Sequence, residues 1–209
     1  ATTTITGSSS PTGIAWSATA GLLVATSGGN DGGIWTSPTG TTWTERAVGI
    51  DRDGQNELPV SLTGVTWSDY FAKFFVSCAG DSVGGIYAGG HTVVSSPDGI
   101  TWTDITPTTP LDGQAVIASD DVGLVTVLTS DPTDGDSVAM FSTDGETWEN
   151  VSLTNQTIHF YSAAYAPALG RLVALSLSAT ADSVETYDVA GSNWRVGTIR
   201  LGVVEGGRR

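Results

Sequence analysis

Ser96-Pro97-Asp98-Gly99-Ile100-Thr101-Trp102 and Ser142-Thr143-Asp144-Gly145-Glu146-Thr147-Trp148 are two copies of one turn, 46 residues apart. Asp98 and Asp144 sit where a short side chain can accept hydrogen bonds from backbone N–H groups within the turn. Gly99 and Gly145 supply the positive φ such a turn needs. Trp102 and Trp148 then offer a large apolar face to a neighbouring sheet. A worn copy, Ser37-Pro38-Thr39-Gly40-Thr41-Thr42-Trp43, precedes them, and a further degraded one, Asp188-Val189-Ala190-Gly191-Ser192-Asn193-Trp194, follows. Thr39 and Ala190 stand in for the aspartate, so these two turns are expected to be weaker.

Working outward, each turn closes the same series of short segments. The first copy opens at Gly13-Ile14-Ala15-Trp16-Ser17, continues through Gly21-Leu22-Leu23-Val24-Ala25 and reaches Gly33-Ile34-Trp35-Thr36-Ser37. The second has Gly64-Val65-Thr66-Trp67-Ser68, Lys73-Phe74-Phe75-Val76-Ser77 and Val93-Val94-Ser95-Ser96. The third and fourth open at Ala115-Val116-Ile117-Ala118-Ser119 and at Ala163-Ala164-Tyr165-Ala166. β-Branched and aromatic runs bounded by Gly, Asp, Pro or Ser read as strands. The closing tryptophans, Trp43, Trp102, Trp148 and Trp194, are spaced by 59, 46 and 46 residues. A period of roughly 40–50 residues with four strands per unit is that of a propeller blade. Insertions at residues 46–62 and 79–92 account for the longer first spacing.

The expectation is an all-β chain, a single small β-propeller domain over 1–209 with about four four-stranded blades near 13–46, 64–105, 114–151 and 162–197. Terminal segments 2–6 and 199–204 are candidate strands that would close the ring or make a fifth, composite blade. Alternatively the tail Gly206-Gly207-Arg208-Arg209 would reach a neighbouring subunit. The repeated turn resembles the Asp-box, also called the bacterial neuraminidase repeat, of sialidase-like propellers. The resemblance covers roughly residues 13–197 and implies that the boxes serve folding, on the face opposite the usual ligand site.

Composition narrows the function. Net charge is −14, and Lys73 is the only lysine. Phosphate recognition needs clustered Lys and Arg, so neither nucleic acid nor an anionic membrane surface is an expected partner. Cys78 is the only cysteine, which excludes an intrachain disulfide. It lies in an apolar strand and reads as an inert buried thiol. No transmembrane run and no signal peptide are read, and the compartment stays open.

The second-to-third strand loops and the interblade loops are expected to share one face and to carry Asp31, Asp81, Asp112 and Asp182 among other acids. Asp51, Asp53 and Glu57 resemble the start of a calcium loop by alternating oxygen donors, but the third acid and the full spacing are missing. Asp131, Asp134 and Asp136 are a second, weaker group. His91 and His159 have no metal-ligand spacing and read as loop residues. Apart from that calcium candidate, no cofactor is expected.

The resembled sialidases use three arginines on different blades to clamp a carboxylate, with a Tyr–Glu nucleophile and an acid. Here no arginine lies between Arg52 and Arg171, and Arg46, Arg171 and Arg195 are not placed together by anything in the sequence. A different glycosidase needs only two carboxylates at the right separation and stays open. No phosphate loop and no nucleophile elbow occur. The expected function is therefore non-enzymatic: a structural component of a bacteriophage virion (tail, fibre or head accessory protein) that contacts the host surface, with other virion proteins or its own copies as partners. Thr/Ser/Gly richness, the near-absence of Lys, Met and Cys and the acidic balance motivate it. The alternative is an extracellular carbohydrate-binding module, in which exposed aromatics such as Tyr70, Phe71, Tyr87, Phe160 and Tyr161 stack on sugar rings.

Overall fold

The computed structural model describes residues 10–28, 33–46, 61–79, 92–107, 111–130, 137–152, 159–177, 182–188 and 193–197. They form sixteen strands in four antiparallel sheets, each of four strands in sequence order. Blade 1 holds β1 (Ser10–Ser17), β2 (Leu22–Gly28), β3 (Gly33–Ser37) and β4 (Thr44–Arg46). Blade 2 holds β5 (Ser61–Ser68), β6 (Lys73–Ala79), β7 (Val93–Ser96) and β8 (Thr103–Asp104). Blade 3 holds β9 (Asp112–Ser119), β10 (Leu124–Ser130), β11 (Ser137–Ser142) and β12 (Glu149–Ser152). Blade 4 holds β13 (His159–Ala166), β14 (Arg171–Leu177), β15 (Asp182–Asp188) and β16 (Asn193–Gly197). The chain is a β-propeller of four-stranded blades. Terminal segments 2–6 and 199–204 lie outside the described residues.

The first strand of each blade starts two or three residues before the expected edge. The reason is a register shift: Thr12, Thr63, Gln114 and Tyr161 are each skipped in the pairing with the second strand, and the strand continues beyond the break. In blades 1 to 3 the tryptophan precedes the fourth strand instead of lying in it, whereas Trp194 falls within β16. Two single-turn 3-10 helices, Asp120–Val122 and Pro167–Leu169, end on left-handed glycines; the sequence reading did not foresee them.

Strand alternation sends successive side chains to opposite sheet faces, and in blades 2 and 3 both faces pack against other blades. In blade 2, Phe74 and Val94 face blade 1 and pack with Val24 and Ile34. Phe75 and Val93 face blade 3 and pack with Val116, Val125 and Met140. The same scheme joins Leu124, Leu128 and Phe141 of blade 3 to Leu172 and Ala174 of blade 4. Phe74 and Phe75 are fully buried, each contributing about 2–3 kcal/mol by removal from water. Phe74 meets Trp67 edge-on at 4.5 Å between centroids, and Phe75 meets Phe71 at 5.9 Å. The core is thus a series of slabs between sheets.

The innermost strands pack in order, β1 on β5, β5 on β9 and β9 on β13. Among the described residues no strand packing of that kind joins β13 back to β1. The four blades form an arc.

Candidate functional site

The hairpin turns were the strongest local signal, and their polar groups are engaged in the fold. Ser96 Oγ accepts from Gly99 N at 2.8 Å and donates to Asp98 Oδ1 at 3.0 Å. Asp98 Oδ1 accepts from Ile100 N and Thr101 N at 2.8 and 2.7 Å. Asp144 repeats the pattern with Glu146 N and Thr147 N, and its Oδ2 also accepts from the Thr147 hydroxyl at 2.6 Å. These donors hold both carboxyls below their ordinary range; the leading cause is the Thr101 N–H for Asp98 and the Thr147 hydroxyl for Asp144. Gly99 and Gly145 have φ of +69° and +73°. A Cβ on Gly99 would lie 3.0 Å from Leu22 Cδ2 and Val24 Cγ2 of blade 1, so each turn is also an interblade contact.

Blade 1 keeps the serine half of this arrangement. Ser37 Oγ accepts from Gly40 N at 2.8 Å. Thr39 Oγ1 accepts from Thr41 N at a longer 3.3 Å and shares a hydrogen bond with Thr41 Oγ1. Residues 189–192 of the fourth turn lie outside the described residues, as does the Trp194 side chain. Trp102 is buried against blade 1, and Trp148 packs partly buried at the contact of blades 2 and 3. The indole N–H groups of both are buried without a partner.

On the inner side of the arc an open cavity of about 210 Å³ runs across all four blades. It lies on the first strands, with Thr12, Thr63 and Gln114 beside Val65, Val116 and Ala163. Among the described residues its lining holds no ionisable side chain. It is smaller than the roughly 300 Å³ at which small-molecule sites usually begin. Thr63 Oγ1 is already committed, to Gly113 O at 2.7 Å and Ser77 Oγ at 2.8 Å.

The face expected to carry binding chemistry falls mostly outside the described residues. That holds for Asp31, Asp51, Asp53, Glu57, Asp81, Asp131, Asp134 and Asp136, and for His91 and Tyr87. Among the described residues no three His, Cys, Asp or Glu side chains come together as a metal site. Cys78 is fully buried, and burial, reinforced by the Asp104 carboxylate, pushes its thiol pKa far up. Arg46 closes β4, where its Nε donates to Thr36 Oγ1 at 2.8 Å, whereas Arg171 opens β14. The end of a fourth strand and the start of a second strand lie at opposite ends of a blade, so these two arginines do not share a site.

Tyr70 is 63% exposed, whereas Phe71 is half-buried against Phe75. The Tyr70 ring lies over Gly123, where a Cβ would come within 2.6 Å of its Cζ. The sequence reading missed two links beside it. Asp120 of blade 3 accepts from Ser68 Oγ and Asp69 N of blade 2, and Lys73 of blade 2 pairs with Glu146 of blade 3 at 3.0 Å. The available signal was positional: Asp120 follows β9 directly, and Lys73 opens β6.

No family model and no curated protein matches the sequence. The fold matches solved propellers. Hydrazine synthase of Kuenenia stuttgartiensis aligns with a TM-score of 0.69 and 11% identity over 90% of this chain and 54% of that one. Virginiamycin B lyase from Staphylococcus aureus gives 0.62 and 12%, over 92% and 57%. A family 117 glycoside hydrolase from Zobellia galactanivorans gives 0.51 and 14%, over 91% and 69%. The chain spans 54–58% of the first three structures it matches, and identity this low shows a shared β-propeller fold and nothing of activity.

Proposed function

We propose that the chain is a non-enzymatic member of the Asp-box propellers that serves as a structural component of a bacteriophage virion, in its tail, fibre or head, contacting the host surface. The observation that carries the non-enzymatic part is the inner cavity: it is small, and among the described residues its lining holds no ionisable side chain to transfer a proton or to activate the hydroxyls of Thr12, Thr63 and Ser162. The turn carboxylates support the same reading. Asp98 is held ionised chiefly by the Thr101 N–H, and Asp144 by the Thr147 hydroxyl and then the backbone donors of its own hairpin, which suits a fold-stabilising role and not a general acid. The virion assignment rests on composition: 27 glycines, single Lys, Met and Cys residues and a net charge of −14. Protein mass spectrometry of purified particles of the encoding phage tests it. The expected result is this chain at a fixed stoichiometry with the other particle proteins; its absence from particles overturns the assignment.

A second reading is supported by one observation, the 63% exposure of Tyr70 on the face of the Asp turns. An exposed aromatic ring on a rigid scaffold can stack on a sugar. A glycan panel read for both retained protein and released reducing ends separates the readings. Retention that Tyr70→Ala abolishes favours carbohydrate binding, whereas release of reducing ends refutes both.

A further inference from the structure

One turn departs from the repeat in several ways, and the departures meet at a single side chain. Strand pairing aligns Ala18-Thr19-Ala20-Gly21, Asp69-Tyr70-Phe71-Ala72, Asp120-Asp121-Val122-Gly123 and Pro167-Ala168-Leu169-Gly170 as the turns between the first and second strands of the four blades. At the last position Gly21, Gly123 and Gly170 have φ of +61°, +59° and +61°. Blade 2 places Ala72 there at +51°, a left-handed conformation that disfavours any residue with a Cβ. At the second position blade 2 alone carries an aromatic ring, Tyr70, and it is 63% exposed. At the first position Asp120 of blade 3 reaches back to this turn. It accepts from Ser68 Oγ, from Asp69 N at 3.0 Å and from Tyr70 N at 3.4 Å. Asp69, which holds that place in blade 2, instead bonds Trp67 Nε1 of its own blade at 2.6 Å.

Stacking of blades does not require these features. Blades 1 and 2 pack Val24 and Ile34 against Phe74 and Val94, while the turn of blade 1 closes on itself, Ser17 Oγ accepting from Ala20 N at 2.9 Å. Strain that the fold does not need points to a function of the strained segment. In the turn of blade 2 that function is to present a ring. Tyr70 lies over Gly123, so close that a Cβ there would come within 2.6 Å of Cζ, and Phe71 meets it edge-on at 4.9 Å between centroids. Gly170, at the place of Gly123 in blade 4, has nothing within 4 Å. One face of the Tyr70 ring is thus seated on backbone, and the other is left to solvent. The carboxylates of Asp69 and Asp121, which flank the ring and its floor in the chain, are also exposed. An apolar plate with hydrogen-bond acceptors beside it fits a molecule that has an apolar face and a rim of donors. A pyranose has this form, with C–H groups on its face and hydroxyls around its edge. The same carboxylates repel a sugar that carries a carboxylate or a sulfate.

We infer that turn 69–72 recognises an uncharged pyranose, whose C–H face stacks on the open face of Tyr70 and whose hydroxyls donate to Asp69 and Asp121. The inference rests on the carbohydrate reading above and names its ligand class. Ala72 stiffens the turn, so less freedom is lost when the sugar docks.

A glycan panel on the full chain tests this, with neutral oligosaccharides of hexoses and N-acetylhexosamines set against oligosaccharides of uronic acids and sulfated hexoses. Retention is expected on a neutral glycan and not on the anionic ones. Tyr70→Ala should lower that retention about tenfold, and Tyr70→Phe should leave it within about twofold, because the ring and not its hydroxyl does the stacking. Ala72→Gly should raise the urea midpoint and yet weaken retention about two- to fivefold, a combination that a purely structural turn would not give. Equal retention on anionic glycans overturns the ligand class and leaves the carbohydrate reading standing. Neutral-glycan retention that Tyr70→Ala leaves intact, or that Ala72→Gly does not weaken, overturns the site. Retention on no glycan overturns the inference and the carbohydrate reading together.

Discussion

Within the Asp turn, the serine should matter more than the aspartate for which the motif is noted. Ser142 is 1% exposed, and its hydroxyl accepts from Gly145 N at 2.8 Å. Gly145 is itself buried, between Phe71 and Phe75. Ser142→Ala leaves that N–H unsatisfied inside the interblade contact, which costs about 1–3 kcal/mol. Asp144 is exposed, and water replaces most of what its carboxylate supplies to Glu146 N and Thr147 N. Asp144→Ala should therefore cost only about 1 kcal/mol. Blade 1 already carries out this experiment: it keeps Ser37 with its bond to Gly40 N, and Thr39 replaces the aspartate. Urea denaturation followed by tryptophan fluorescence measures both variants, with unchanged m-values as the control. At about 2–4 °C per kcal/mol, the two midpoint shifts separate on a thermal scan as well. An aspartate variant that loses as much stability as the serine variant, or more, would refute the reasoning. It would mean that the carboxylate, and not the buried hydroxyl, organises the hairpin.

Acid should weaken the fold through the same turns. Asp98 and Asp144 have carboxyl pKa values below the ordinary 3.8 when folded, so the unfolded chain binds their protons first. Their contribution is complete above about pH 4 and is lost as the pH falls through the folded values, and Asp98→Asn with Asp144→Asn should flatten that part of a stability-against-pH curve. Ala72 has a φ of +51° at the position where Gly21, Gly123 and Gly170 stand in the other blades. Ala72→Gly should stabilise the chain by about 0.5–1 kcal/mol, because relief of the left-handed strain exceeds the entropy that glycine loses; a lower urea midpoint would contradict this. Gly113→Ala should cost about 2 kcal/mol or more, since its Cβ would fall 2.7 Å from Thr92 O and 2.9 Å from Cys78 O, backbone atoms that cannot turn aside. Retention of the wild-type midpoint in that variant would show that β9 can shift away from blade 2.

The blade was legible because its signals are local. Trp102 and Trp148, the glycines of their turns and the alternation around Phe74 and Val94 fix a four-stranded unit without reference to distant residues. The arc was not legible, because every blade carries the same pattern wherever it sits in the ring. Ile14 and Val65 are interchangeable as sequence, and only the structure shows that one is packed and the other is not. The polar links between blades were hidden for a related reason. Lys73 and Glu146 are 73 residues apart, and Ser68 and Asp120 are 52 apart, so no local pattern connects them. The acidic groups proposed for calcium stayed at the level of spacing, because Asp51, Asp53 and Glu57 lie outside the described residues.

A chain this rich in hydroxyls can still build a well-defined core because the hydroxyls work between blades. The contact of blades 2 and 3 shows how. Its centre is Phe75 against Val116, Val125 and Met140, which are interchangeable apolar partners with little power to set a register. Around that centre, Thr63 donates to Gly113 O, Ser68 donates to Asp120, and Lys73 pairs with Glu146. Each joins a particular residue of one blade to a particular residue of the next. A slip of one residue along the strand would bury Thr63 or Ser68 without its partner, at about 1–3 kcal/mol each. Apolar burial therefore stacks the blades, and the directional groups fix which blade sits at which height. The functional consequence is that substitutions at these polar pairs act on the order of the blades before they touch any ligand, so binding is best sought in residues that make no such link. The Tyr70 side chain is a described candidate by this criterion: the residue's backbone N–H donates to Asp120 Oδ1 of blade 3 at 3.4 Å, but its ring makes no polar link, resting on Gly123 and Phe71 while most of its surface faces solvent.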